Sequence, residues 1–159
     1  MDWYATGGSY TEAFETSASW KMVKFTLNAN DDAFTGTTFK MNFDFGYLPN
    51  VTYYIDVESI KVIDKDATPV VVANMLSNGN FEDGTLTGWS GWGNSSTRAV
   101  SAQSEGFGGT GYAMVLTNPT AAEYYSAQQA YTFGAALEQG ASYTMTFIVK
   151  ASVAADLQV

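Results

Sequence analysis

The chain has 159 residues, of which 46% are hydrophobic, 15% aromatic and only 14% charged; its net charge is −9, and it has no cysteine and no histidine. These numbers suit one domain with a real core, and they exclude disulfides, thiol nucleophiles, Ser-His-Asp catalysis and the usual zinc and iron sites. The acidic balance argues against a nucleic-acid phosphate backbone and against anionic membranes.

No stretch reaches the roughly 18 apolar residues of a membrane span, and no basic and apolar leader opens the chain. The sequence therefore reads as a segment of a larger protein, which sets its location. Its hydrophobic pattern has a period of 2. WKMVKFTLN places Val23, Phe25 and Leu27 on one face. In TFKMNFDFG, Phe39, Met41, Phe43 and Phe45 alternate with Lys40, Asn42 and Asp44, as in a half-buried strand. In VTYYIDVESIKVID, Val51, Tyr53, Ile55 and Val57 share a face and Ile60 and Val62 continue on the other parity. A bulge near Glu58 and Ser59 accounts for that switch.

Residues 64–69 read as a linker. Beyond it, strands are predicted at 70–76, 97–102, 111–117 and 124–133, and SYTMTFIVKAS forms another with Tyr143, Met145, Phe147 and Val149. Gly-, Asn- and Asp-rich clusters such as LPN, NGNFEDG, GWGNSS and SEGFGGTG separate them as turns. AALEQ is the one helix-friendly run. Many short strands with such turns give an all-β fold, an antiparallel β-sandwich of the jelly-roll kind.

Asn78-Gly79-Asn80-Phe81-Glu82 followed by Gly88-Trp89 resembles the opening of carbohydrate-binding modules of families 4, 9 and 22. So do Gly111 to Leu116, Tyr125-Ser126-Ala127-Gln128, Leu137 to Thr144 and Val149-Lys150-Ala151-Ser152. The run Trp20 to Leu27, followed by Tyr54-Ile55-Asp56-Val57, resembles the end of such modules, yet here it comes first. The chain is either the tail of one module fused to the head of another or a single circularly permuted module. The second reading is preferred: one domain over 1–159, made of a C-terminal-type half (1–63), the linker and an N-terminal-type half (70–159).

The resemblance also implies site residues. Sugar rings stack their apolar faces on aromatic side chains and offer hydroxyls to amides, carboxylates and guanidinium groups. Trp92 lies in a polar, glycine-rich run where an indole is hard to bury. Arg98, the chain's single arginine, stands where family 22 modules carry a sugar-contacting arginine; a surface solubiliser is the alternative. Tyr124 and Tyr125 fall at the family's aromatic platform, with Tyr125 the better match, and Gln128 at a polar contact. Asn42 and Asp44, with Lys40, line either one groove strand or a solvated outer face. Trp89 and Trp20 are expected to pack, and Trp3 has no assigned role.

By the same resemblance a structural calcium is held by Asp56, Glu82, the Asn80 carbonyl and backbone oxygens within 103–109, a set of hard oxygens that suits this ion. Ordinary surface carboxylates are the alternative. The implied function is a non-catalytic module that binds a β-1,4-linked chain, xylan or xylo-oligosaccharide first and mixed-linkage β-glucan second. It would hold an attached glycoside hydrolase, an endoxylanase, near its substrate. The setting is then extracellular, cell-surface or periplasmic, through the parent protein. Two other classes remain: a small glycosidase using Asp44 and Glu58, which lack any sign of tuned carboxyl groups, and a structural or adhesive sandwich without a glycan groove.

Overall fold

The computed structural model describes residues 2–4, 13–28, 39–64, 71–93, 96–133 and 142–159. Among these residues twelve strands run in chain order: β1 (Asp2–Tyr4), β2 (Ala13–Thr16), β3 (Lys21–Asn28), β4 (Phe39–Asp44), β5 (Thr52–Asp64), β6 (Val71–Asn74), β7 (Trp89–Gly93), β8 (Thr97–Val100), β9 (Met114–Thr117), β10 (Ala127–Phe133), β11 (Ser142–Ala151) and β12 (Ala155–Gln158). They form two antiparallel sheets. The first has the order β2-β12-β4-β10-β7, with β1 also on β4; the second has the order β3-β11-β5-β9-β8, with β6 also on β5.

Period-2 patterning explains why these segments pair face to face. Met41, Phe43 and Phe45 from the first sheet meet Tyr53, Ile55, Val57, Met145, Phe147 and Val149 from the second in one buried cluster. Phe43 packs edge-on against Phe147 at 5.2 Å between ring centroids. The central strands β4 and β5 come from the first part of the chain, and their neighbours β10, β11 and β9 come from the second. Each sheet is thus built from both parts, and neither part could bury its strands' apolar faces alone.

The expected bulge is present. Thr146 pairs with Ser59 and Ile148 with Asp56, so β5 spends one residue more than β11 between those pairs. Elsewhere the structure departs from the pattern. Gly91-Trp92-Gly93, expected as part of a turn, belongs to strand β7 (WSGWG), because β10 supplies a ladder from Trp89↔Tyr131 to Gly93↔Ala127. Ala155–Gln158 adds β12, paired with both β2 and β4. Residues 124–126, expected in a strand, form a 3-10 turn ahead of β10. The AALEQ run and linker residues 65–69 lie outside the described residues; Asp64 ends β5.

The segment 77–89 is wired to itself and to the core. Asn78 and Phe81 both adopt positive φ, 52° and 57°, an unusual backbone for a phenylalanine. Burial offsets that cost: Phe81 has no exposed surface and packs against Trp89 at 5.5 Å. The Asn78 amide donates to the carbonyls of Thr85 and Thr87, and Trp89 Nε1 donates to Asn78 O at 3.2 Å. Trp89 is a packing residue, as expected. Trp20 is half-buried, with Lys150 Nζ 4.8 Å from its ring centre.

Candidate functional site

Opposite residues in neighbouring strands share a face. Across the first sheet, Asp44 pairs with Gln128 and Gln128 with Trp92. By the same rule Asn42, Ala130 and Ser90 form the next row on the side away from the core. A shallow depression of about 290 Å³ opens on this side, lined by Lys40, Trp92, Tyr125 and Gln128. Trp92 is 59% exposed and Tyr125 54%, among the most exposed large apolar side chains described. Two exposed rings beside an amide and an ammonium can stack an apolar ring face and hydrogen-bond hydroxyls at its rim.

Of the residues expected to bind sugar, Trp92, Tyr125 and Gln128 come together here, along with Lys40. Asn42 and Asp44 share the face but neither a groove-lining nor a solvated position: both are completely buried. They sit on a central strand, flanked by β10 on one side and by β12 and β1 on the other. Both amide atoms of Asn42 are buried without a hydrogen-bond partner among the described residues.

Tyr124 and Tyr125 part company because they lie in the 3-10 turn, where strand alternation does not apply. Tyr124 stacks on Tyr47 at 4.5 Å and 13°, and it is not among the residues lining the depression. Tyr47, 46% exposed, was not singled out from the sequence, although its place in the turn-rich GYLPN run hints at a surface ring. The two loops are locked together: Gly46 N donates to Tyr124 O at 2.9 Å, and a Cβ at Gly46 would stand 2.8 Å from that same oxygen. Asn118, fully buried, donates through Nδ2 to Gly46 O at 2.8 Å.

Arg98 belongs to β8, in the second sheet, yet its guanidinium reaches the first. Nε donates to Gln128 O at 3.1 Å, one terminal nitrogen to Ser96 O at 3.4 Å and the other to Trp92 O. Its carbon lies 5.4 Å from the centre of the Phe45 ring. It is half-buried, and burial pulls its pKa down, though an arginine stays protonated. Behind the loops, the Tyr53 hydroxyl donates to Asp156 O at 2.7 Å. Burial holds the Tyr53 phenol well above the usual tyrosine range, and Tyr124 and Asp156 push the same way. Tyr124 is raised too, by burial first, then by Asp156 and Tyr47.

The residues expected to hold calcium lie at the other sheet. Asp56 is on β5, and the next residue, Val57, donates its N–H to Gly79 O at 3.0 Å. Glu82 Oε1 accepts the Tyr112 N–H at 3.1 Å, and a Cβ at Gly111 would collide with the Glu82 carboxylate. A second depression, of about 510 Å³, is lined by Gln103, Ser104, Gly109, Thr110 and Gly111. The Asn80 side chain accepts the Glu82 N–H at 3.4 Å. Among the described residues no group of three or more acidic side chains is gathered for a metal, and no helix is long and apolar enough to cross a membrane.

Residues 73–159, more than half of the chain, match the family model of the carbohydrate-binding domain CBM 4/9. No curated protein and no solved structure matches the chain. The chain belongs to this family of carbohydrate-binding domains, which are typically non-catalytic.

Proposed function

From membership of that family, we propose that the outer face of the first sheet binds a β-1,4-linked plant polysaccharide, xylan first and β-glucan second. The observation that carries this reading is the exposed pair Trp92 and Tyr125 beside Gln128 and Lys40 around one depression. Rings exposed at this level cost nothing to the core and gain area only when a ligand covers them. The module would work outside the cell, attached to a glycoside hydrolase such as an endoxylanase, and raise the effective concentration of substrate near that enzyme. Affinity electrophoresis through gels containing soluble xylan or barley β-glucan tests the reading. Retardation in xylan supports it, and equal mobility in all gels overturns it.

The domain would be one module in permuted order. Supporting this, β12 and β1 lie end to end along the same edge of β4: Gln158 is opposite Asp44, and Asp2, Trp3 and Tyr4 are opposite Asn42, Met41 and Lys40. On that register Asp2 takes the place two positions beyond Gln158, so the two strands act as pieces of one. Calcium would sit where Glu82 faces Gly111, with oxygens from residues 103–109, from the Asn80 carbonyl and from Asp56. The close fit of the carboxylate against a position that tolerates only glycine supports a preformed oxygen cradle. Calcium there would fasten this loop to the core.

A further inference from the structure

We infer that Arg98 is a positioning residue, which fixes the sugar-binding face from behind instead of touching sugar. This rests on the reading of the Trp92–Tyr125 depression as the groove. Among the described residues β7 is an edge strand of the first sheet and β8 an edge strand of the second. An edge strand lacks one row of partners and holds its side chains less firmly. β7 also carries Gly91 and Gly93 within five residues, which loosens it further. Trp92, the most exposed ring of the groove, sits on this weak element.

Arg98 closes that edge. Its planar fork presents donors in fixed directions, which a lysine cannot reproduce. Those donors go to Gln128 O, Ser96 O and Trp92 O. Two of the three carbonyls belong to groove residues that face each other across β7 and β10. The stem passes beneath Gly91: a Cβ there would stand 2.5 Å from Arg98 Nε. Gly91 is opposite Gln129, whose own partner Phe43 is in the core, so the guanidinium lies on the inward side of the sheet. The Phe45 ring supports it there. The charged group is thus engaged behind the strands whose outer side carries Trp92 and Gln128. A groove held in its binding geometry before the ligand arrives does not lose affinity to ordering.

The test uses solution NMR of the whole chain with Arg98→Lys and Arg98→Met. Because Arg98 is the only arginine, its Nε–H gives one side-chain signal. In the wild type this proton is expected to be protected from solvent exchange and to stay in place when xylohexaose is added, while the Trp92 indole N–H moves. In both variants the Trp89 indole signal reports an intact core. The Trp92 indole signal shifts toward that of a free indole before any sugar is present. Affinity falls about tenfold in Arg98→Lys as well as in Arg98→Met, the scale of one lost hydrogen bond from a charged donor.

A lysine variant with wild-type affinity and an unchanged Trp92 signal overturns the inference. So does an Arg98 Nε–H that exchanges freely and shifts strongly with sugar, which would mean direct contact. If the wild type binds no sugar, the proposed function fails, and the Trp92 signal of the sugar-free variants still decides whether Arg98 holds this edge.

Discussion

Trp92→Ala separates a binding ring from a packing ring. The side chain is 59% exposed, which on a tryptophan of about 250 Å² leaves roughly 150 Å² in water. A sugar stacked on one face covers about half of that, ~75 Å², worth about 2 kcal/mol at ~25 cal/mol per Å². Removing the ring should therefore weaken binding of a xylo-oligosaccharide about 20-fold. Since nothing in the core rests on the exposed ring, unfolding stability should change by no more than about 0.5 kcal/mol. Isothermal calorimetry gives the first quantity and a urea melt the second. A variant that loses several kcal/mol of stability, or binds as tightly as the wild type, refutes the assignment of Trp92 to the groove.

Asn42→Leu should stabilise the fold by about 1–2 kcal/mol and leave sugar affinity unchanged, because it removes two buried, unpartnered amide atoms at similar volume; a thermal melt and a titration check both halves. Between pH 8 and about 10, the ordinary tyrosine pKa, stability should be level, and it should fall above that: the unfolded chain ionises there while Tyr53 and Tyr124 keep their protons because their folded pKa values are raised. Tyr53→Phe should flatten that decline in melts taken between pH 8 and 11.5. Removal of calcium with EGTA should lower Tm by about 5–10 °C if the ion stood at about 100 times its Kd, and Glu82→Gln should erase the difference. A chain reopened within 65–69, with its present ends joined by a short linker, should melt as cooperatively as the wild type if β12 and β1 are pieces of one strand.

The strands β3, β4, β5 and β11 were legible because each alternates large apolar residues with polar ones, and even the β5 bulge showed as a change of parity. β7 was not. Trp89-Ser90-Gly91-Trp92-Gly93 has the composition of a turn, and its strand geometry comes from the β10 ladder, which is distant in sequence. Asn42 and Asp44 show the same limit in reverse: alternation placed them on the face away from the core, but it does not tell what covers that face, and both are completely buried there. That Trp92, Tyr125 and Gln128 lie together around one depression was anticipated because aromatic and amide residues in polar, glycine-rich surroundings stand out in the sequence. The contacts of Arg98 were not legible, since the length of an arginine lets it reach carbonyls of the sheet opposite its own.

The most direct measurement is a calorimetric titration of the unaltered chain with xylohexaose and, separately, cellohexaose. Saturable heat is expected with xylohexaose, weaker heat with cellohexaose, and loss of both in a Trp92→Ala/Tyr125→Ala double variant that melts like the wild type. No heat with either sugar, or full binding by the double variant, would contradict that expectation.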